Sequence, residues 1–160
     1  MQNIIERFYK AFAVLDVETM LTCYHPDIVF SDPAFGILRG DKAKNMWKML
    51  CQSQKNKNFI INWSEIEHEE NYGSARWEAF YTFRNTGRKI HNVVFASFKF
   101  KDGLIIKHTD EFDLHRWAKQ ALGFRGFLIG KTAFFKNKLQ AKTNYLLHQF
   151  EKKQKSKNAP

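Results

Sequence analysis

Apolar side chains recur at three- and four-residue steps at Ile5, Phe8, Phe12 and Leu15, which predicts one buried face of an amphipathic helix. Asp16 follows as an N-cap for a second short helix carrying Val17, Met20, Leu21 and Tyr24. His25-Pro26-Asp27 ends it, because a residue before proline is pushed out of helical geometry. Ile28-Val29-Phe30 then reads as a short strand with Asp32-Pro33 at its end, and residues 36–40, bounded by glycines, read as a loop. Asp41 is placed to cap a third helix with Ala43, Met46, Trp47 and Leu50 on its buried side.

The pattern then changes from helical steps to strands. Residues 59–66, 74–84, 89–101 and 104–112 read as four long strands. Trp77, Ala79, Tyr81 and Phe83 share one face of the second, and Asn92, Val94, Ala96, Phe98 and Phe100 share one face of the third. Asn85-Thr86-Gly87 marks one turn, and Asp102-Gly103 is a strong hairpin signal. Helices before a strongly bent antiparallel sheet give an α+β class. A short helix is expected over 113–122, an apolar glycine-punctuated loop over 123–130 and a last helix from 132 to about 153, with the polar residues from Lys152 on frayed. This divides the chain into a domain over 1–122 and an extension over 123–160.

At 160 residues the chain has the length of one domain and can bury roughly 70% of its unfolded surface, so it needs no metal or disulfide to hold a core. Charge changes the picture of the extension more than of the body. Residues 131–160 hold eight Lys against one Glu, whereas residues 1–130 hold 18 basic and 15 acidic groups. A mildly basic body argues against a nucleic-acid-binding core. Cys23 and Cys51 lie among apolar residues without zinc-type spacing and read as buried thiols of a reducing compartment, so a cytoplasmic location is expected. The first residues lack a signal-peptide pattern, and no stretch is long enough to span a membrane. The basic last helix is expected to pack on its own domain or on a partner copy, with membrane-surface contact as the alternative.

The order of elements, together with Phe8-Tyr9, Tyr24-His25-Pro26-Asp27, Ser31-Asp32-Pro33, Gly36, Gly40, Trp47 and Phe98–Ile105, resembles the nuclear-transport-factor-2-like cone. Within it the chain is most similar to the SnoaL-like and ketosteroid-isomerase-like branch, over roughly residues 3–115. The resemblance implies a homodimer paired through the sheet. It also sets Asp32 where ketosteroid isomerases carry a general base. Two other parts of that site are missing. Phe8 stands where their oxyanion-hole Tyr is expected, with Tyr9 one residue off, and Ala96 stands where they carry a protonated Asp. The last strand, with His108 and Asp110, is closer to SnoaL-like cyclases, in which an Asp acts near a His. The Arg of the relay used by epoxide hydrolases of this fold has no counterpart here.

Alternation puts His108, Asp110 and Phe112 on one face of the last strand and Lys107, Thr109 and Glu111 on the other. With Asp32 they would form a proton-transfer group in an aromatic pocket. The competing account has His108 and Asp110 bonding each other, or Asp110 meeting Arg76 or Arg84, for sheet specificity. Asp32 has its own alternative, as a turn residue before proline. Tyr9, Trp47, Trp77, Tyr81, Asn92, Phe98 and Phe112 are the expected walls for a small hydrophobic molecule, with Asn92 bonding either the ligand or Asp110. Trp63, Glu65 and Glu67 are expected on an exposed or interface side. His91, His115 and His148 have no metal spacing, and no metal or cofactor is expected. The function class is a cofactor-free isomerase, cyclase or dehydratase. The alternative is a non-catalytic ligand-binding or dimerisation module.

Overall fold

Asn3 caps the first helix, α1 (Ile4–Ala13), by accepting the Ile5 N–H, and Asp16 caps α2 (Val17–Thr22) through the Thr19 N–H. The computed structural model describes residues 3–157. β1 (Tyr24–Asp32) and β2 (Gly36–Arg39) form a hairpin, and α3 (Asp41–Gln54) leads away from it. Four strands follow: β3 (Ile60–His68), β4 (Tyr72–Phe83), β5 (Arg88–Lys101) and β6 (Leu104–Glu111). The chain closes with α4 (Leu114–Leu122), α5 (Phe124–Ile129) and α6 (Ala133–Lys157). One six-stranded sheet runs in the order β2-β1-β6-β5-β4-β3.

Every neighbouring pair in that sheet is antiparallel except β1 and β6, which are parallel. The expected antiparallel sheet is therefore mixed. The reason is connectivity: α3 and four strands intervene before β6 returns beside β1, so the pair need not be a hairpin. Phe30 stands opposite His108, and Ala96 opposite Asp110. At the β5–β6 turn, Asp102 and Gly103 both have positive φ, 52° and 74°, as a type I′ hairpin requires.

Helices α1 and α3 close one face of the sheet. α1 buries Ile5, Phe8, Tyr9, Ala11 and Phe12, and each of its large apolar side chains contributes about 1.5–3 kcal/mol. Its close approach depends on Gly73 in β4: a Cβ there would sit 2.6 Å from Ile5 Cδ1 and 2.9 Å from the Glu67 carbonyl oxygen. α3 brings Met46, Trp47 and Cys51 into the same core.

Several boundaries differ from the sequence expectation. β1 starts at Tyr24, so Tyr24 belongs to the sheet and not to α2. Residues 36–39 pair with β1 rather than looping. Gly40, not Asp41, holds the N-cap position of α3, and Asp41 lies in its first turn. Residues 124–129 form α5, and α6 continues to Lys157, so the helix does not fray at Lys152. Trp63 turns inward, stacked on Tyr9 at 6.5 Å between ring centroids. Glu65, at φ 51° within a register shift between Ser64 and Glu67, breaks the alternation that would have put the two on one side.

Candidate functional site

The sheet curls around a cavity of about 230 Å³. Its walls are largely apolar: Phe12 from α1, Phe30 from β1, Met46, Trp47 and Leu50 from α3, and Phe59 before β3. Trp77, Ala79, Tyr81 and Phe83 come from β4, and Phe112 and Trp117 from the β6–α4 region. Polar groups at the cavity include Asp32, Asp110, Asn92 and Thr143.

Asp32 ends β1 opposite Gly36, so the turn between the two strands is only three residues long. Asp32 Oδ1 accepts the N–H groups of Ala34 (2.9 Å) and Phe35 (2.6 Å). The two readings of this residue therefore hold at once: it is an Asx-turn residue and it lines the cavity. Burial raises its pKa to about 7. The Phe35 N–H opposes the rise, the nearby Asp110 carboxylate adds to it, and the Ala34 N–H opposes it less.

Asp110 and His108 sit one period apart on β6, and both are buried. A chain of hydrogen bonds joins them to α3 and β1. The Trp47 Nε1–H donates to the Tyr24 hydroxyl (2.8 Å). That hydroxyl lies 2.7 Å from His108 Nδ1, and His108 Nε2 lies 3.0 Å from Asp110 Oδ1. His108 Nδ1 is the acceptor within reach of the Tyr24 O–H, so the Tyr24 hydrogen is assigned to it, which leaves the His108 Nε2–H to donate to Asp110. Asp110 Oδ1 accepts also from the Trp77 Nε1–H at 3.2 Å. Burial pushes the Tyr24 hydroxyl pKa well above its ordinary value, with Asp110 adding to the effect, so this link stays a phenol.

Seven of the ten residues singled out from the sequence line the cavity: Asp32, Asp110, Trp47, Trp77, Tyr81, Asn92 and Phe112. Three do not. His108 has no exposed surface and stands behind Asp110, boxed by Phe8, Phe30, Trp47 and Phe98. Tyr9 and Phe98 pack against each other in the core beneath the walls. The cause is depth: residues that share one face of a strand or of a helix stand at different distances from the cavity, which periodicity alone cannot separate. The Tyr9 hydroxyl is buried and meets no hydrogen-bond partner among the described residues. Asp110 takes its bonds from His108 and Trp77, so neither Arg76, Arg84 nor Asn92 is its partner; Arg76 pairs with Glu78.

The part of the site that sequence reasoning missed comes from α6, whose Leu139 and Thr143 line the cavity. The same helix grips the turn that follows Asp32. The Gln140 side-chain amide donates to the Pro33 carbonyl (3.1 Å), the Thr143 hydroxyl to the Ala34 carbonyl (2.8 Å) and the Asn144 amide to the Phe35 carbonyl (2.8 Å). The available signal was a run of neutral polar residues, Gln140, Thr143 and Asn144, on one side of an otherwise lysine-rich helix.

Known structures share this fold. An epoxide hydrolase of M. tuberculosis, described as LEH-like, superposes with a TM-score of 0.59 at 20% identity, covering 78% of this chain and 90% of its own. A putative polyketide cyclase of Xanthomonas campestris pv. campestris gives a TM-score of 0.59 at 17% identity, covering 74% and 93%. An NTF2-like protein of unknown function from Burkholderia pseudomallei gives 0.62 at 16% identity, covering 74% and 95%. At these identities the likeness is one of fold. No curated protein matches the sequence. The model of the SnoaL-like domain matches residues 5–108, from the start of α1 through His108. With that match covering more than half of its length, the chain belongs to the SnoaL-like domain family.

Proposed function

We propose that the protein is a cofactor-free enzyme that moves a proton on a small, largely apolar substrate, with Asp32 as the group that takes and returns it. The observation that carries this reading is the state of Asp32. Its carboxyl borders an aromatic cavity, one oxygen is held by two backbone N–H groups, and its pKa is about 7. A carboxyl with that pKa can accept or donate a proton at neutral pH with little driving force lost either way. Isomerisation, cyclisation and dehydration all need such a step. In this reading Asp110, beside Asp32 on the adjacent strand, stabilises positive charge that develops in the same cavity. His108, which does not reach the cavity, is a positioning residue that holds Asp110.

A second reading, a binding module without chemistry, draws support from Asp110. Its Oδ1 is already committed to two protein donors, as in a network built for structure. Screening the purified protein against small apolar metabolites by thermal shift, followed by assays on the hits, separates the two. An enzyme loses turnover in Asp32→Asn while the hit still binds. Hits that bind and are never converted by the wild-type protein leave the module. The family resemblance also supports two copies pairing through the outer sheet face, where Phe95 is 56% exposed. Sedimentation at twice the 19.0 kDa chain mass is the expected result.

A further inference from the structure

Seven of the twelve large apolar side chains left exposed among the described residues fall between Phe124 and Leu146. The rest are scattered over the other 100-odd positions, so this stretch carries an apolar surface of its own. How α5 packs explains it. Gly126 lies so close to α4 that a Cβ there would stand 1.8 Å from the Ala118 carbonyl oxygen. The helix docks through backbone and turns its large side chains outward. Phe124 and Phe127 stack at 6.3 Å between ring centroids, and Leu128, one turn from Phe124, is 59% exposed.

The short connection at 130–132 leads into α6, which is two-sided. Its inner side holds buried Phe135 and Leu147 together with the groups that grip the turn after Asp32. Its outer side presents Phe134, Lys138, Lys142 and Tyr145, with Lys138 over the Phe134 ring and Lys142 over the Tyr145 ring. From residue 124 to residue 157 there are nine Lys and Arg against one acid, Glu151. Glu151 itself bonds Asn45 on the inner side.

We propose that this corner, the outer face of α5 with the first turns of α6, docks on an anionic lipid surface. Exposed aromatic and aliphatic side chains, with Lys138 and Lys142 over two of the exposed rings, match the acyl boundary and the charged headgroups together. No helix of the described residues is long and apolar enough to cross a membrane, so the contact is peripheral. Lysine stems lie along apolar surface while their heads stay in the headgroup layer. A protein partner would have to be both apolar and strongly acidic, a combination that is rare at interface centres.

Flotation of the full chain with lipid vesicles tests this. Vesicles of phosphatidylcholine containing about one third phosphatidylserine should carry the protein up the gradient, and pure phosphatidylcholine should carry roughly tenfold less. Raising salt from about 0.1 M to about 0.5 M should release most of it. The exposed pair Phe127→Ser with Leu128→Ser should abolish flotation with an unchanged circular dichroism spectrum. The triple Lys131→Glu, Lys136→Glu, Lys138→Glu should remove the phosphatidylserine preference. Absence of wild-type binding to phosphatidylserine vesicles at low salt would overturn the proposal. So would a sedimentation shift from dimer to monomer in the Phe127/Leu128 variant of a wild-type protein that leaves vesicles unbound, because the patch would then be a contact between copies.

Discussion

Two carboxyl groups of the same protein, at the ends of two adjacent parallel strands, live under opposite conditions. Asp110 on β6 is enclosed by side chains: His108 and Trp77 donate to the same oxygen, and Tyr24 and Trp47 extend the chain to a neighbouring strand and a helix. Asp32 on β1 receives only backbone N–H groups from its own turn, and burial drives its pKa up to about 7. Both border the same cavity. The difference lies in who holds each group. A network of side chains makes a carboxylate part of the core, whereas a turn can present one to a ligand without tying it down.

The comparison breaks most severely at the network. Asp110→Ala leaves the Trp77 and His108 donors buried and unpaired, and should lower stability by about 3 kcal/mol, read as a shift in urea unfolding midpoint. Trp47→Phe removes the indole donor to Tyr24 and some packing volume, and should lower stability by about 2 kcal/mol in the same assay.

Asp32→Asn should act in the other direction, and only above a certain pH. The folded pKa of about 7 lies above the ordinary value of 3.8, so the folded state binds more protons than the unfolded one between those values. Stability of the wild-type protein therefore falls as pH rises through this window and levels off beyond it. The variant lacks this loss. It should match the wild-type near pH 4 and exceed it by about 2 kcal/mol at pH 8, measured by unfolding across pH. Equal curves at both pH values would mean that Asp32 ionises freely.

Two smaller changes sharpen the contrast. Asn144→Ala removes one clamp from the turn after Asp32 and should lower stability by about 1 kcal/mol, while loosening the turn enough to shift the Asp32 titration followed by carboxyl carbon NMR. Tyr9→Phe removes a buried hydroxyl that has no partner among the described residues, and should change stability by less than about 1 kcal/mol in either direction.

Much of this was legible because local rules and tertiary structure agree. The helical steps of α1 as far as Phe12, the Asp16 cap, the Asp102-Gly103 turn and the alternation that brings His108 and Asp110 inward all appear where the sequence puts them, whereas Leu15 lies beyond the helix at φ 56°. The family resemblance supplied the global frame, and Asp32 stood out as an acid in an apolar run. Three things escaped for physical reasons. Depth is invisible to periodicity, whether along a strand face or a helix face, so His108 passed for a group at the cavity and Phe98 and Tyr9 for its walls. Trp63 faces inward in step with Ile61, and a bulge at Glu65, a residue without a sequence mark for positive φ, separates the glutamates from that face. The fit of α6 over the Asp32 turn rests on hydrogen bonds between residues 107 and 109 positions apart, and no local pattern encodes them.

The parallel seam between β1 and β6 constrains the order in which the molecule can form. Tyr24 and His108 are 84 positions apart, and Thr143 reaches Ala34 across 109. The β1–β2 hairpin therefore emerges from the ribosome with one edge bare, and stays so until β6 has been made. The cavity cannot close on that side until the middle of α6 is available. Loops of this length slow closure, and an unpaired early strand is open to pairing with other chains in the meantime. The β3–β6 meander, built from neighbouring strands joined by tight turns, should therefore gain protection before the Asp32 corner when refolding is followed by pulse-labelled hydrogen exchange.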